Sequence, residues 1–299
     1  MKNFKSNKLD TFLEKNKNRG RLLISCPDQP GIVAAVSNFL HLKGANIVQS
    51  DQYTTDPEGG LFFMRVEFDL PDLSAQATNL YEEFTRIADR FDMRWRISLA
   101  NRLKRMAIFV SQQEHCLLEL LWQWQAGDLP AEIAMVISNH EDLRSTVEDL
   151  NIPYHYIPVT KDTKQEAEQE QHRLMSDQVD FIVLARYMQI LSPSFVEHYP
   201  SRIINIHHSF LPAFIGARPY ERAYDRGVKL IGATSHYVTN DLDEGPIIEQ
   251  DIQRVNHQHD ANDLKRMGRY IERVVLARAV TWHLEDRVIV HDNKTVVFT

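Results

Sequence analysis

Cysteine is scarce in this sequence of 299 residues, which has only Cys26 and Cys116, far apart and in no paired motif. A disulfide scaffold and a cysteine zinc site are thereby excluded as the frame of the fold. Positive charge is also in short supply, since 34 Lys and Arg against 41 Asp and Glu leave a net charge of −7. General nucleic-acid binding needs a basic surface, so we expect no nucleic-acid partner.

Long apolar runs are missing as well. None approaches the roughly 18 residues that a membrane span needs, and the basic N-terminal segment lacks the apolar core of a secretory signal. We therefore expect a cytoplasmic protein without a membrane partner. Apolar residues still make up 43% of the chain, enough for a sizeable core, and the length suggests two domains.

The composition also suggests where the domains divide. Residues 1–18 are polar and rich in lysine, which predicts a flexible arm. The charged run at 101–105 predicts a linker between a first domain at 19–100 and a second at 106–299.

The first domain has the pattern β-α-β-β-α-β. Runs of strand length and stretches of helical spacing alternate along it, at 21–26, 32–43, 46–53, 61–70, 73–91 and 94–100. This order predicts a ferredoxin-like arrangement. We expect Asp28 to cap the first helix and Gly44 to end it.

Two short segments of this domain carry a family resemblance. Asp28-Gln29-Pro30-Gly31 at the first strand-to-helix turn and Gly44-Ala45-Asn46-Ile47 before the second strand make it similar to an ACT domain. The resemblance implies a regulatory domain that pairs across subunits, hence a homo-oligomer. It also implies that Asp28, Gly31 and Asn46 bind an effector, such as a small amino acid. A purely structural dimerisation module is the alternative.

The second domain alternates short apolar runs with helical stretches, which predicts an α/β fold with a mainly parallel sheet. The predicted strands lie at 106–110, 133–137, 154–156, 181–184, 203–206 and 231–238. A long helix at 261–286 and a terminal hairpin follow. In such sheets ligands bind beyond the carboxyl ends of the strands.

Polar residues follow two of these strands. Asn205 and His207 are two apart near a strand end, so their side chains share a face. His236 lies on a later strand, and the turn at 240–246 holds three carboxylates within four residues, which raises the pKa of any one that is buried. Structural histidines and a solvated acidic turn remain alternatives. Calcium is another, but the spacing does not match a helix-loop-helix calcium loop.

Together the two stretches resemble the folate-dependent formyltransferase fold, as in glycinamide ribonucleotide formyltransferase. The matching residues are Asn205-Ile206-His207, Ser209, Leu211-Pro212, His236-Tyr237-Val238-Thr239, Leu242-Asp243, Gly245-Pro246 and the segment Leu184–Pro193. The resemblance implies a Rossmann-like domain over 106–299 with Asn205, His207 and Asp243 as the catalytic residues. It places the folate substrate against Leu184, Met188, Gln189, Leu191, His208, His236, Asn240 and Asp241.

Two departures make the chain similar to the formyltetrahydrofolate deformylases, which give the formyl group to water. The transferases hold their acceptor's phosphate with a Gly-Ser-Asn loop, whereas the loop at 110–116 has no glycine and contains Glu114. His208 stands where the transferases commonly have proline. The implied reaction converts 10-formyltetrahydrofolate and water to tetrahydrofolate and formate, balancing one-carbon pools and supplying formate for purine synthesis. A transferase with a non-phosphorylated acceptor and a regulatory binding protein without turnover are the alternatives.

The resemblance also implies a mechanism. Asp243 would position and deprotonate the water, while His207 and Asn205 would donate to the developing oxyanion. We expect no cofactor or metal, because these donors can polarise the formyl carbonyl. His257-Gln258-His259 lacks a third ligand nearby and is a weak metal motif. His208 either orients water or packs, and His236 is either structural or a support to the site.

Overall fold

The computed structural model describes residues 2–56, 58–212 and 219–299. The chain splits into two compact units. The first comprises Met1–Leu103, Glu285–Ile289 and Val296–Thr299, and the second comprises Lys104–Leu284 and Val290–Thr295. The division after Leu103 falls inside the predicted linker, but the return of the last residues to the first unit was not anticipated. Among the described residues, no helix combines the length and apolar character of a membrane span.

The first unit is a four-stranded antiparallel sheet with three helices. Its elements are α1 (Lys2–Lys15), β1 (Arg19–Pro27), α2 (Ile32–Leu42), β2 (Asn46–Thr54), β3 (Leu61–Asp69), α3 (Leu73–Arg90) and β4 (Arg94–Leu99). The strand order β2-β3-β1-β4 is the ferredoxin-like arrangement, so the β-α-β-β-α-β prediction is confirmed. Where the sequence predicted a flexible arm, the structure has helix α1.

Helix α3 shows why the pattern predicts this unit. Leu73, Leu80, Phe84 and Ala88 recur at helical spacing and are all buried in the core between helices and sheet. The start of α2 differs from expectation, because Gly31 is its N-cap at φ 98° and Asp28 lies upstream of it. The Asp28 carboxylate instead accepts a hydrogen bond of 2.7 Å from Thr54 Oγ1.

A buried charge cluster lies on strands of the same unit. The guanidinium of Arg65 is almost fully buried and donates to Glu67 Oε2 at 2.7 Å and to the carbonyl oxygen of Asp286 at 3.0 Å. The Asp286 carboxylate accepts from Ser98 Oγ at 2.7 Å and pairs with Arg96 at 3.1 Å. Residues from the end of the chain thus supply partners for buried cations on the first sheet.

The second unit has a seven-stranded sheet ordered β11-β10-β9-β8-β5-β6-β7. The elements from residue 104 onward are β5 (Lys104–Val110), α4 (His115–Ala126), β6 (Ala131–Ser138), α5 (Arg144–Glu148), β7 (Tyr154–Tyr156), α6 (Lys164–Met175), β8 (Phe181–Leu184), α7 (Pro193–Glu197), β9 (Ile203–His207), α8 (Pro219–Arg226), β10 (Leu230–Tyr237), β11 (Ile247–Arg254), α9 (Ala261–Leu284), β12 (Val288–His291) and β13 (Lys294–Val297). The last two strands pair as a hairpin.

The direction of the strands determines where the carboxyl ends meet. β7, β6, β5, β8 and β9 run parallel, whereas β10 is antiparallel to β9 and β11 is antiparallel to β10. The mainly parallel sheet is therefore confirmed. Leu184 at the end of β8 is in register with Asn205 near the end of β9. The loops after these two strands consequently emerge side by side, where parallel sheets bind ligands.

Candidate active site

Strand pairing brings together the polar residues of β9 and β10. Asn205 and His207 lie on one face of β9, and the antiparallel register sets His236 opposite Asn205 and Thr234 opposite His207. The amide nitrogen of Asn205 lies 3.1 Å from His236 Nε2. The backbone ladder thus fixes the relative positions of the three polar side chains.

His236 is almost fully buried and both its ring nitrogens have partners. Nδ1 lies 3.0 Å from the carbonyl oxygen of Tyr237, so Nδ1 carries a proton and donates it to that oxygen. Its Nε2 faces the Asn205 amide nitrogen and lies 3.7 Å from Asp243 Oδ1. His236 therefore contacts Asn205, and its role, either structural or in support of the site, stays a prediction.

Asp243 reaches this group from the loop between β10 and β11. Its Oδ2 lies 3.1 Å from His207 Nδ1, and its Oδ1 lies 3.7 Å from His236 Nε2. Burial alone would raise the pKa of Asp243, but the hydrogen bond from His207 and the neighbouring His236 outweigh burial and hold the pKa well below its usual range. The carboxylate is therefore ionised and available to take a proton.

The backbone of that loop is unusual at two residues. Asp243 adopts a left-handed conformation at φ 58°, which aspartate and asparagine tolerate better than most residues. Gly245 passes so close to β10 that a Cβ there would lie 1.8 Å from the carbonyl oxygen of Tyr237. These two positions bring the carboxylate back over the strand ends.

His207 has one free ring nitrogen. Its Nδ1 faces Asp243, whereas its buried Nε2 has no hydrogen-bond partner within the described part of the chain. Nε2 is on the side of the ring away from Asp243, and His207 lines the cavity described below. A buried nitrogen without a partner is costly, and a bound ligand would relieve that cost.

His208 packs its ring beside two other aromatic side chains. Its centroid lies 5.2 Å from that of His207, in a stacked arrangement, and 6.2 Å from that of Tyr220. Burial, together with the nearby charge of Arg186, lowers the pKa of His208 to about 4. The ring is therefore neutral near pH 7 and offers a lone pair to a water molecule.

All the predicted catalytic and substrate-binding residues line one cavity of about 590 Å³. They are Asn205, His207, Asp243, Leu184, Met188, Gln189, Leu191, His208, His236, Asn240 and Asp241. The volume is in the range of pockets that hold drug-sized ligands. The sequence thus predicted one side of this cavity, and the roles of its residues stay a prediction.

The wall after β8 is held by hydrogen bonds to its backbone. The Met188 N–H donates to Ser111 Oγ at 3.0 Å, and that hydroxyl donates to Asn139 at 2.7 Å. Ser192 begins α7 as its N-cap, with its hydroxyl oxygen accepting from the Phe195 N–H. Leu184 and Leu191 are buried in this wall, whereas Met188 is exposed to solvent. An apolar slot with a fixed backbone results.

The opposite side of the cavity contains a buried network that the sequence argument missed. Glu272 on α9 accepts from the Tyr220 hydroxyl at 2.7 Å and contacts His115 Nε2 at 2.7 Å and Arg186 Nε at 3.4 Å. Burial alone would raise the pKa of Glu272, but the His115 hydrogen bond and the Arg186 charge outweigh it and lower the pKa. Gly268, one turn earlier on α9, makes room for Tyr220, since a Cβ there would lie 1.9 Å from the hydroxyl.

One part of this network has the composition of a metal site. His115, Cys116 and Glu272 have candidate ligand atoms within 4.8 Å of one another. However, the Glu272 oxygens are already engaged, and Arg186 supplies a positive charge beside them. Burial raises the pKa of the Cys116 thiol well above its usual value, so a metal would have to displace the thiol proton. The cluster is therefore best described as a hydrogen-bonded network, and the absence of a cofactor stays a prediction.

The predicted effector residues lie in the first unit. Gly31 begins α2, Asn46 begins β2, and Asp28 accepts from Thr54 in the preceding loop. Their role in effector binding stays a prediction.

Comparison with known proteins supports both units. Residues 104–280 match the family described as Formyl transferase, and residues 20–75 match the ACT domain. The chain is 64% identical to the formyltetrahydrofolate deformylase of Bacillus subtilis (strain 168) over 299 residues, which are 100% of both proteins.

Solved structures extend the likeness to three dimensions. The crystal structure of a formyltetrahydrofolate deformylase from Pseudomonas syringae pv. tomato str. DC3000 has a TM-score of 0.90 and 51% identity, with 94% of each chain covered. Glycinamide ribonucleotide transformylase 1 from Symbiobacterium toebii has a TM-score of 0.62 and 26% identity, with coverage of 66% of this chain and 95% of its own.

Proposed function

The chain belongs to the formyltetrahydrofolate deformylases, and from this membership we propose that the cavity around Asp243 and His207 carries out their reaction. The enzyme is a hydrolase that converts 10-formyltetrahydrofolate and water to tetrahydrofolate and formate. The observation that carries the assignment to this site is the contact of 3.1 Å between an ionised carboxylate and an imidazole whose other nitrogen is free. That pairing provides a base for the attacking water and a hydrogen-bond donor for the developing oxyanion, side by side.

Water activation falls to Asp243. The carboxylate accepts a proton as the water oxygen attacks the formyl carbon, which breaks the C=O π bond and places negative charge on the formyl oxygen. We assign to the neutral ring of His208, which is stacked beside His207, the acceptance of a second hydrogen bond from the same water. The water would then be oriented by two acceptors before it reacts.

The oxyanion is stabilised by His207 and Asn205. His207 donates a hydrogen bond from Nε2 to the oxyanion, while the Asp243 carboxylate lies 3.1 Å from Nδ1. Asn205 has one amide hydrogen on His236 and a second available for the oxyanion. Collapse of the intermediate breaks the bond between carbon and N10, and N10 takes the proton held by Asp243. The products are the secondary amine of tetrahydrofolate and formic acid, which ionises to formate.

The folate ring fits the apolar slot formed by the segment after β8 and the loop at 239–243. The buried side chains of Leu184 and Leu191 offer apolar faces to a flat heterocycle, and backbone groups along the slot offer hydrogen bonds to its polar edge. We assign Met188 and Gln189, together with Asn240 and Asp241, to the rim of the slot.

The main alternative is transfer of the formyl group to an acceptor other than water. It is disfavoured by the position of His208. The ring of His208 is stacked on His207, the residue that contacts the proposed base Asp243. A regulatory folate-binding protein without turnover is disfavoured because binding alone does not require an ionised carboxylate paired with His207.

The test is formate release from 10-formyltetrahydrofolate in the absence of any acceptor, with tetrahydrofolate measured in parallel. Equal release of the two products supports the hydrolase. No release from a folded protein that binds folate would instead point to the transferase, which candidate amines would then reveal, or to the binding protein.

We further propose the biological setting that the sequence suggests. The ACT domain supports regulation by a small amino acid at Asp28, Gly31 and Asn46, and it supports pairing of subunits in a homo-oligomer. Hydrolysis in the cytoplasm would balance one-carbon pools and supply formate for purine synthesis. Uncontrolled hydrolysis would drain those pools, which gives the regulatory domain a purpose.

A further inference from the structure

A second cavity of about 460 Å³ adjoins the reaction cavity. It lies between the loop at 112–115, which leads into α4, and three arginines of α9 that are three and four residues apart: Arg266, Arg269 and Arg273. We call it the arginine cavity. Spacings of three and four place the guanidinium groups on one face of the helix, directed to the same space.

Two of these arginines have a positive charge that no described carboxylate compensates. Arg266 is paired with Asp263 at 2.7 Å. No carboxylate among the described residues forms an ion pair with Arg269 or Arg273, and the buried Nε of Arg273 has no hydrogen-bond partner there. Arg273 rests on the ring of Tyr270, with 4.8 Å between guanidinium carbon and centroid. A cavity with this lining attracts a small anion.

The negative charge in the same lining does not cancel this excess. Glu114 is the one carboxylate among the described lining residues. From the sequence, Glu114 alone predicts that the loop at 110–116 repels a phosphate. The structure places three arginines opposite that loop, so the cavity as a whole is cationic.

The two cavities meet at Gln113 and Arg269, which line both. Gln113 is held in place because its side-chain oxygen accepts a hydrogen bond of 3.1 Å from Arg186. The charge of Arg186 is itself compensated by Glu272 at 3.4 Å. The first cation without a carboxylate partner on this route out of the reaction cavity is therefore Arg269.

We propose that the arginine cavity receives the formate product and forms its route out of the active site. This inference rests on the proposed function, since hydrolysis produces formate beside the ionised Asp243. Like charges repel there, while Arg269 and Arg273 attract the anion from the adjoining space. The cavity is larger than formate, so the anion passes through it hydrated and is held weakly.

Product inhibition tests this proposal. The variants are Arg269→Gln, Arg273→Gln and the two combined, assayed for formate release from 10-formyltetrahydrofolate with increasing added formate. The inhibition constant for formate should rise about threefold for each single variant and about tenfold for the double variant, as expected for exposed ion pairs. Arg278→Gln is the matched control, because it removes the same charge from the same helix. Arg278 pairs with Asp251 at 3.1 Å and lines neither cavity.

A second readout does not depend on turnover. Formate added to the full-length protein should show a broadened proton resonance in wild type and in Arg278→Gln, and a narrow one in the double variant. Circular dichroism establishes that each variant is folded. Inorganic phosphate serves as the comparison anion, because it is not a product.

The outcomes separate the two proposals. Unchanged inhibition and unchanged broadening in the double variant overturn the product route while leaving hydrolysis intact. Inhibition by phosphate that responds to the substitutions, with inhibition by formate that does not, identifies an anion site away from the product route and also overturns it. A wild-type protein that releases no formate overturns the proposed function, and the product route with it.

Discussion

Replacing Asp243 with asparagine removes the proposed base while leaving the loop intact. The position has a left-handed backbone at φ 58°, which asparagine tolerates as well as aspartate, and the amide oxygen can still accept the hydrogen bond from His207 Nδ1. An amide cannot take the proton of the attacking water. General base catalysis contributes roughly 10²- to 10⁴-fold, so we expect kcat to fall about 10³-fold, which corresponds to about 4 kcal/mol of transition-state stabilisation.

The assay follows formate and tetrahydrofolate together at saturating substrate. KM should change by less than about threefold, because the substitution preserves volume and one polar contact. Glu244→Gln is the control, since it neutralises the adjacent exposed carboxylate, which does not line the reaction cavity. A folded Asp243→Asn enzyme that retained more than about a tenth of the wild-type kcat would refute the assignment of the base. Equal losses in both variants would instead point to the charge of the loop.

Three further outcomes are expected. The pKa of His208 is lowered to about 4 in the folded protein. Between pH 6.5 and pH 4 the unfolded chain therefore binds a proton at this residue that the folded chain does not bind, so the free energy of unfolding falls as the pH drops. His208→Asn should shrink the loss of stability between pH 7 and pH 5 by up to about 2 kcal/mol, seen in thermal melts at both pH values. Gly268→Ala should lower the melting temperature, although alanine has the better helix propensity. The new Cβ would displace the Tyr220 hydroxyl from Glu272 at a cost of about 1–3 kcal/mol. An unchanged melting temperature would contradict this packing. Asn205→Ala should reduce kcat roughly 10²-fold with little change in KM, whereas a rise in KM alone would make Asn205 a binding residue.

The sequence predicted most of the elements because their apolar periods are regular. The strand predicted at 203–206 is found as Ile203–His207, and the helix predicted at 73–91 is found as Leu73–Arg90. Helix α8 was missed because Pro219–Arg226 is mostly polar and only eight residues long, so its apolar residues complete too few turns to be recognised. Helix α1 was missed for the same reason, since its composition favours a solvated arm.

The site was predictable on the side where its residues are close in the chain. Asn205 and His207 are two apart, and the loop with Asp243 follows the next strand of the sheet. Glu272 was not anticipated, because its partners His115 and Tyr220 come from two other helices. A carboxylate on the buried face of α9, four residues after Gly268, was the available signal, since such a group needs partners when buried.

The return of residues 285–289 to the first unit has a consequence during protein synthesis. Residues 1–103 are translated first, yet the buried cation Arg65 bonds to backbone oxygens of Glu285 and Asp286, which are translated only after residues 104–284. At 5–20 residues per second, the gap is on the order of ten seconds or more. The nascent N-terminal unit therefore stays incomplete until residues 104–286 have been translated. A chain that stalled before residue 285 would carry an N-terminal unit in which the buried Arg65 lacks these two backbone partners.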